Sequence, residues 1–236
     1  MKKILLILVA IFTLSQVNAQ TSIFNSLLQK HVTKSGIVDY KSLKNDEAKL
    51  DSYISYLEKT TPASSWSTNK QKAFWINAYN AYTIKKILEN YPLKSIMDIK
   101  EGGKTAWKIP FAKVGGQTYT LDHIEHNILR KNLFDARIHV GVNCASGSCP
   151  KLGNEAFTEK NVDVNLEKLM IAFVNDTSRN KISTKKVQIS SIFDWFKDDF
   201  TKNGTVIDYL NKYSKTEINK NAKIGYLKYD WSLNGK

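Results

Sequence analysis

Ile23, Phe24, Leu27 and Leu28 recur at helical spacing in "SIFNSLLQKHV", as do Leu43, Leu50, Tyr53, Ile54 and Leu57 in "LKNDEAKLDSYISYLEKT". Between them "SGIVDY" breaks the period, so residues 22–58 read as helix in pieces. "TTPASSWSTN" is a loop ending in helix-start chemistry, because Ser67, Thr68 and Asn69 can each cap an N-terminus. The stretch after it, "KQKAFWINAYNAYTIKKILENYP", is apolar nearly all round in its first half. That pattern predicts a helix buried at the centre of the fold, ended by Pro92. Asn77 and Asn80 stand three apart, on the side that carries Ala73, Ile84 and Ile87. Asparagines on a buried face need partners, so these two either brace the backbone of neighbouring loops or line a polar pocket.

Further along, Val114-Gly115-Gly116-Gln117 is a tight turn between two short strands. Thr120 caps the next helix, in which Asp122 suits the positive N-terminal end and Arg130 the far end. "ARIHVGVNC" alternates as a short strand, with Ile138, Val140 and Val142 on one face and His139, Gly141 and Asn143 on the other. A helix near 163–175, a strand around "KVQIS" and a helix in "TVIDYLNKYS" complete the pattern, before the aromatic tail "IGYLKYDWSLNG". The fold class that follows is α+β: mainly helical, around a central buried helix, with small sheets and hairpins.

The first nineteen residues, "MKKILLILVAIFTLSQVNA", change the picture of where this fold works. Lys2 and Lys3 head an apolar run too short to span a bilayer comfortably, and Val17-Asn18-Ala19 suits a signal peptidase. The expectation is a signal peptide over 1–19, cleaved near Ala19, and one domain over 20–236 that is secreted or periplasmic, with no transmembrane segment. Residue 20 is Gln rather than Cys, so a lipoprotein-type anchor is not expected. The formal charge is +13. Yet Arg130, Arg137 and Arg179 are the only arginines, and the lysines are scattered rather than gathered into a basic stripe. Specific nucleic-acid recognition is therefore not expected. Partners are instead sought among small molecules, peptides and envelope polymers.

Five segments carry a family resemblance: "AFWINAYNAYTIKKIL", "YTLDHIEHNILR", "IHVGVNCASGSCPKL", "SIFDWFKDDF" and "YLKYDWSLN". In this order they resemble the domain-of-unknown-function 547 family. The resemblance implies a polar signature at Asn77, Asn80, Glu125, His126, His139 and Cys144 to Pro150, and it implies no activity. The buried helix beside a histidine-bearing strand is also similar, more distantly, to papain-like and transglutaminase-like folds.

Three chemistries fit these residues. A thiol nucleophile, Cys144 or Cys149, would need an imidazole (His139 or His126), an orienter (Glu125, Asn77 or Asn80) and oxyanion donors from the Ser146-Gly147-Ser148 turn. An extended strand would hold His139 and Cys144 roughly 16 Å apart, so only a bend at 143–147 could reunite them. Alternatively, the two cysteines of an exported chain pair with each other, and a Cys144–Cys149 disulfide pins the turn. A metal at Asp122, His123 and His126 is the third option, though no recognised ligand spacing is present and no cofactor is predicted. Gly-x-Ser-x-Gly, Walker and dinucleotide fingerprints are absent. Phe193, Trp195, Phe196, Phe200, Tyr226, Tyr229 and Trp231 read as core and tail docking rather than as a ligand cage. Two functions remain open: hydrolase or acyl-transfer chemistry in a pocket bordered by Asn77, Asn80 and Asn143, or a non-enzymatic module that binds a ligand or partner there.

Overall fold

The computed structural model describes residues 20–235. The expected signal peptide over 1–19 lies outside them. Helix α1 spans 20–31, "SGIVDY" breaks the period after it as expected, and α2 (Tyr40–Asn45) and α3 (Glu47–Lys59) follow, meeting at Asp46. Ser67 then starts the central helix α4 (Thr68–Glu89) by accepting a hydrogen bond from Lys70 N. Residues Ala73 to Ile84 of α4 are buried without a break, as an all-round apolar helix must be.

Two hairpins follow, β1 (Lys100–Glu101) with β2 (Lys104–Thr105) and β3 (Ala112–Val114) with β4 (Gln117–Tyr119). Val114 pairs with Gln117 across Gly115 and Gly116, at φ 56° and 79°. Positive φ at both central residues is what a two-residue turn of this hand requires, and glycine adopts it without strain. Thr120 Oγ1 accepts from His123 N to open the next helix. That helix is wound wide, as a π helix, over His123–Asn132. Wide turns of this kind cluster at functional sites.

The segment expected as a strand is instead one helical turn, α5 (Ile138–Gly141), extended again from Val142. Alternation would have put Ile138 and Val140 on one face. The structure instead splits them between two apolar clusters, Ile138 with α4 and Val140 with the elements that follow. β-Branched residues follow their packing rather than a fixed backbone preference. Gly141 is needed here, because a Cβ would meet Leu166 at 2.8 Å and Ile76 at 3.2 Å. The papain-like comparison assumed a histidine on a strand, and His139 does not stand on one.

The second cluster is built from α6 (Val162–Val174), a sheet, α7 (Ile192–Trp195), α8 (Lys197–Phe200) and α9 (Val206–Asn211). The sheet runs β5 (Lys181–Ile182), β6 (Lys186–Ile189), β7 (Lys223–Tyr226), with β5 antiparallel and β7 parallel to β6. The aromatic tail thus joins the fold partly as a strand. The fold is α+β, as the sequence pattern predicts. Among the described residues no helix is long and apolar enough to cross a membrane.

Candidate functional site

The loop carrying both cysteines is held by side-chain amides. Asn80 Nδ2 donates to Gly141 O and Asn80 Oδ1 accepts from Asn143 N, each at 2.9 Å, so α4 fixes the chain as it leaves α5. Asn143 then closes the loop on itself: Oδ1 accepts from Ala145 N at 3.0 Å and Nδ2 donates to Pro150 O at 2.9 Å. Asn77 makes the same kind of clamp elsewhere, on the N–H and C=O of Phe157. All three asparagines, expected as possible pocket walls, act as backbone braces. Asn77 borders only a separate hollow of about 430 Å³.

Ala145 takes φ 57°, a left-handed conformation that costs a non-glycine residue about 1–3 kcal/mol and persists only where its surroundings enforce it. The C-terminal tail supplies that enforcement. Gly147 N donates to Ser232 O at 2.7 Å, Ser148 N to Asp230 O at 3.1 Å and Asn234 N to Ala145 O at 3.1 Å. Arg179 binds Cys149 O and Gly147 O from the other side. The Gly147 and Ser148 N–H groups expected as oxyanion donors are therefore spent on the tail.

Cys144 and Cys149 stand as free thiols, where pairing was expected. The kink at Ala145 brings them together: Cys144 N donates to Cys149 Sγ at 3.2 Å. Cys144 Sγ lies 3.0 Å from Ser146 Oγ and 3.3 Å from Tyr229 Oη. The Cys149 thiol, and then these two hydroxyls, pull the Cys144 thiol below its ordinary value against the cost of burial. Burial, with the Cys144 sulfur beside it, pushes Cys149 well up. The pair is thus divided into a more acidic thiol, Cys144, and a less acidic one, Cys149.

His139 is buried. Its Nε2 lies 2.8 Å from Asp199 Oδ2, which also accepts from Arg130 Nε at 2.6 Å. Its ring stacks on Phe196 at 4.2 Å. Burial holds the imidazole below its ordinary value although Asp199 opposes the shift. Against the cost of burial, His139 and Arg130 hold the Asp199 carboxyl down at about 2. Glu125 faces inward from the π helix, and its carboxyl is pushed up by burial while the Tyr79 hydroxyl favours its charge. His126 Nδ1 accepts from Arg130 at 3.1 Å, and its Nε2 lies 3.8 Å from Asp122. His123 instead packs on Tyr119. Among the described residues no three His, Cys, Asp or Glu side chains gather as a metal site needs.

One pocket of about 190 Å³ collects these groups at the seam between the two clusters. Cys144, Cys149, His139, His126 and Glu125 all border it, so the five residues proposed for chemistry converge. His139 makes no hydrogen bond to either sulfur; its carboxylate partner is Asp199, which the sequence did not mark out. The aromatic residues need a correction. Phe193 and Phe200 are buried core, but Trp195, Phe196, Tyr229 and Trp231 line the pocket, and Trp195 is 49% exposed.

Residues 63–174 match the family described as "Protein of unknown function, DUF547". The match covers three of the five segments on which the resemblance was drawn and supports it. No curated protein matches the chain, and no solved structure does.

Proposed function

Starting from a chain that resembles the DUF547 family over its centre, a likeness that brings no activity with it, we propose that the pocket performs thiol-based acyl transfer or hydrolysis, with Cys144 as nucleophile. The observation that carries this reading is the Cys144 sulfur itself, placed in a pocket wall beside three neutral groups: Cys149 and Tyr229 can donate to it, and Ser146 donates to Tyr229. Neutral donors stabilise a thiolate without quenching its attack by a fixed counter-ion.

In the first step Sγ bonds the acyl carbon as the bond to the leaving group breaks, and the leaving group departs as an anion that takes a proton from solvent. His139 serves the second step. Its Nε2 is fixed by Asp199, and burial keeps the ring neutral near pH 7, the state a base needs. Once the sulfur is acylated, the Tyr229 hydroxyl, which accepts from Ser146, loses its anionic partner and becomes free to donate to the developing oxyanion. It replaces the N–H groups spent on the tail. Water or an amine then attacks the thioester, His139 takes its proton, and the thiolate leaves. The exported location inferred from the leader, a secreted or periplasmic one, makes extracellular or envelope acyl compounds the substrates of this reading.

A second reading draws on the same spent N–H groups: a module that binds a ligand without turning it over. Trapping separates the two. The reduced protein and its His139→Asn variant are incubated with a panel of small thioesters and activated esters, then examined by intact mass and peptide mapping. Acyl transfer predicts an adduct on Cys144 that accumulates in His139→Asn and is lost in Cys144→Ser. Absence of any acyl adduct, from a protein whose Cys144 still alkylates, overturns it in favour of the binding module.

A further inference from the structure

The pocket walls point to the class of molecule that enters. The chain carries a formal charge of +13, yet no lysine or arginine borders this pocket. The ionisable groups that do are Asp122, Glu125, the two histidines, two thiols and two tyrosine hydroxyls. Two guanidiniums stand behind its walls, each committed to other partners: Arg130 to Asp199 and His126, lying over Phe196 at 4.7 Å from the ring centre, and Arg179 to Asp176 and the carbonyls of Gly147 and Cys149. Asp122 and Glu125 are thus the acidic side chains that line the pocket of a basic protein.

The same pocket carries an aromatic wall. Tyr229 and Trp231 are 4.6 Å apart between ring centres, Trp195 and Tyr229 4.8 Å, and Trp195 stacks on Trp231 at 5.9 Å. Trp107 meets Trp231 edge-on at 5.8 Å. These rings come from α7, the tail and the loop after β2, and they leave Trp195 half open to solvent at the mouth. Aromatic faces beside carboxylates attract an organic cation, and desolvation strengthens that attraction. Glu125 adds an independent pull: it is 8% exposed and lines the pocket, no ion pair holds it among the described residues, and an entering cation would favour the ionised carboxylate that burial opposes. At about 190 Å³ the space is below the roughly 300–1,000 Å³ of drug-sized sites, so the cation is small.

We propose that the pocket recognises a small organic ammonium group, held between the Trp195–Tyr229–Trp231 wall and Glu125. The inference rests on the pocket being the working site and gives the substrate of the thiol reading a cationic amine. Recognition by charge, rather than by shape alone, is its content.

The test compares choline with 3,3-dimethylbutan-1-ol, which has the same shape and no charge. Binding of each is measured by calorimetry and by ligand-observed NMR, on the reduced wild type and on Cys144→Ser. The expected result is choline at least ten-fold tighter than the neutral compound, on both proteins. Glu125→Gln should weaken choline several-fold without changing the neutral compound. If that variant fails to fold, Trp195→Ala at the exposed mouth gives the same comparison. Equal affinity for the two compounds, or no binding of either, overturns the proposal. Because Cys144→Ser retains the walls, a failure here leaves acyl trapping on Cys144 as a separate result, and the reverse holds too.

Discussion

The Tyr229 hydroxyl lies 3.3 Å from Cys144 Sγ, across a separation of 85 residues. It also accepts from Ser146 Oγ at 3.0 Å, so the tail completes the environment of the thiol. Tyr229→Phe keeps the ring in the aromatic wall and deletes the donor. A hydrogen bond to a charged group contributes about 1.5–3 kcal/mol, so carboxamidomethylation of Cys144 at pH 7 should slow by about ten-fold or more. Stopped iodoacetamide reactions followed by peptide mass spectrometry measure this. An unchanged rate would mean that the tyrosine supplies shape alone.

Asn80→Ala removes both partners of a buried N–H and a buried C=O at once. Each orphaned group costs about 1–3 kcal/mol, so urea denaturation should show a loss of about 2–5 kcal/mol. Asn77→Ala should cost a similar amount through Phe157. Only the Asn80 variant should alter the Cys144 alkylation rate, because only Asn80 holds the residue next to that cysteine. Equal effects of the two variants on alkylation would contradict the assignment.

His139 is buried with its affinity for a proton lowered, so the unfolded chain takes up a proton before the native state does. Stability contributed by the neutral ring is complete above the ordinary histidine value of 6.5, and it falls as the pH drops through that value toward the lower folded one. Asp199→Asn removes the charge that opposes the shift. NMR titration should therefore show His139 protonating at a still lower pH in that variant. A rise on substitution would show that Asp199 is not its partner.

The two sulfurs share a hydrogen bond, and a divided pair of this kind is primed for exchange with a disulfide. Oxidised glutathione should be attacked by the Cys144 thiolate, releasing one glutathione, and Cys149 should then displace the second. The product is a Cys144–Cys149 disulfide, two hydrogens lighter and silent toward iodoacetamide. Dithiothreitol should restore the reactivity. A stable glutathione adduct on Cys144 would show that Cys149 cannot reach it.

Capping, periodicity and turn chemistry made much of the fold legible. Ser67, the all-round apolar stretch of α4 and the Gly115-Gly116 turn each act within a few residues, which is the range a pattern can encode. The turn at Ile138–Gly141 was not legible. Its apolar residues serve two clusters, so alternation suggested a sheet face that does not exist. At the site, the sequence marked Cys144, Cys149, His139, His126 and Glu125, because cysteine, histidine and buried carboxylate are few and chemically distinctive. It did not mark Asp199, 60 residues from His139, nor Tyr229. Aspartate and tyrosine are common surface and core residues, and only the folded chain brings these two to their partners. Trp195 and Trp231 read as core for the same reason: composition cannot tell a buried ring from one that faces a cavity.

The role of Cys144 is tested most directly by its own titration in the reduced, folded protein. The rate of carboxamidomethylation at Cys144 and at Cys149 is followed by peptide mass spectrometry across the pH range. The donors around Cys144 predict a half-maximal rate at about pH 7, with Cys149 nearly unreactive throughout. A Cys144 midpoint at or above the ordinary thiol value of 9, or a Cys149 that reacts faster, would contradict the account.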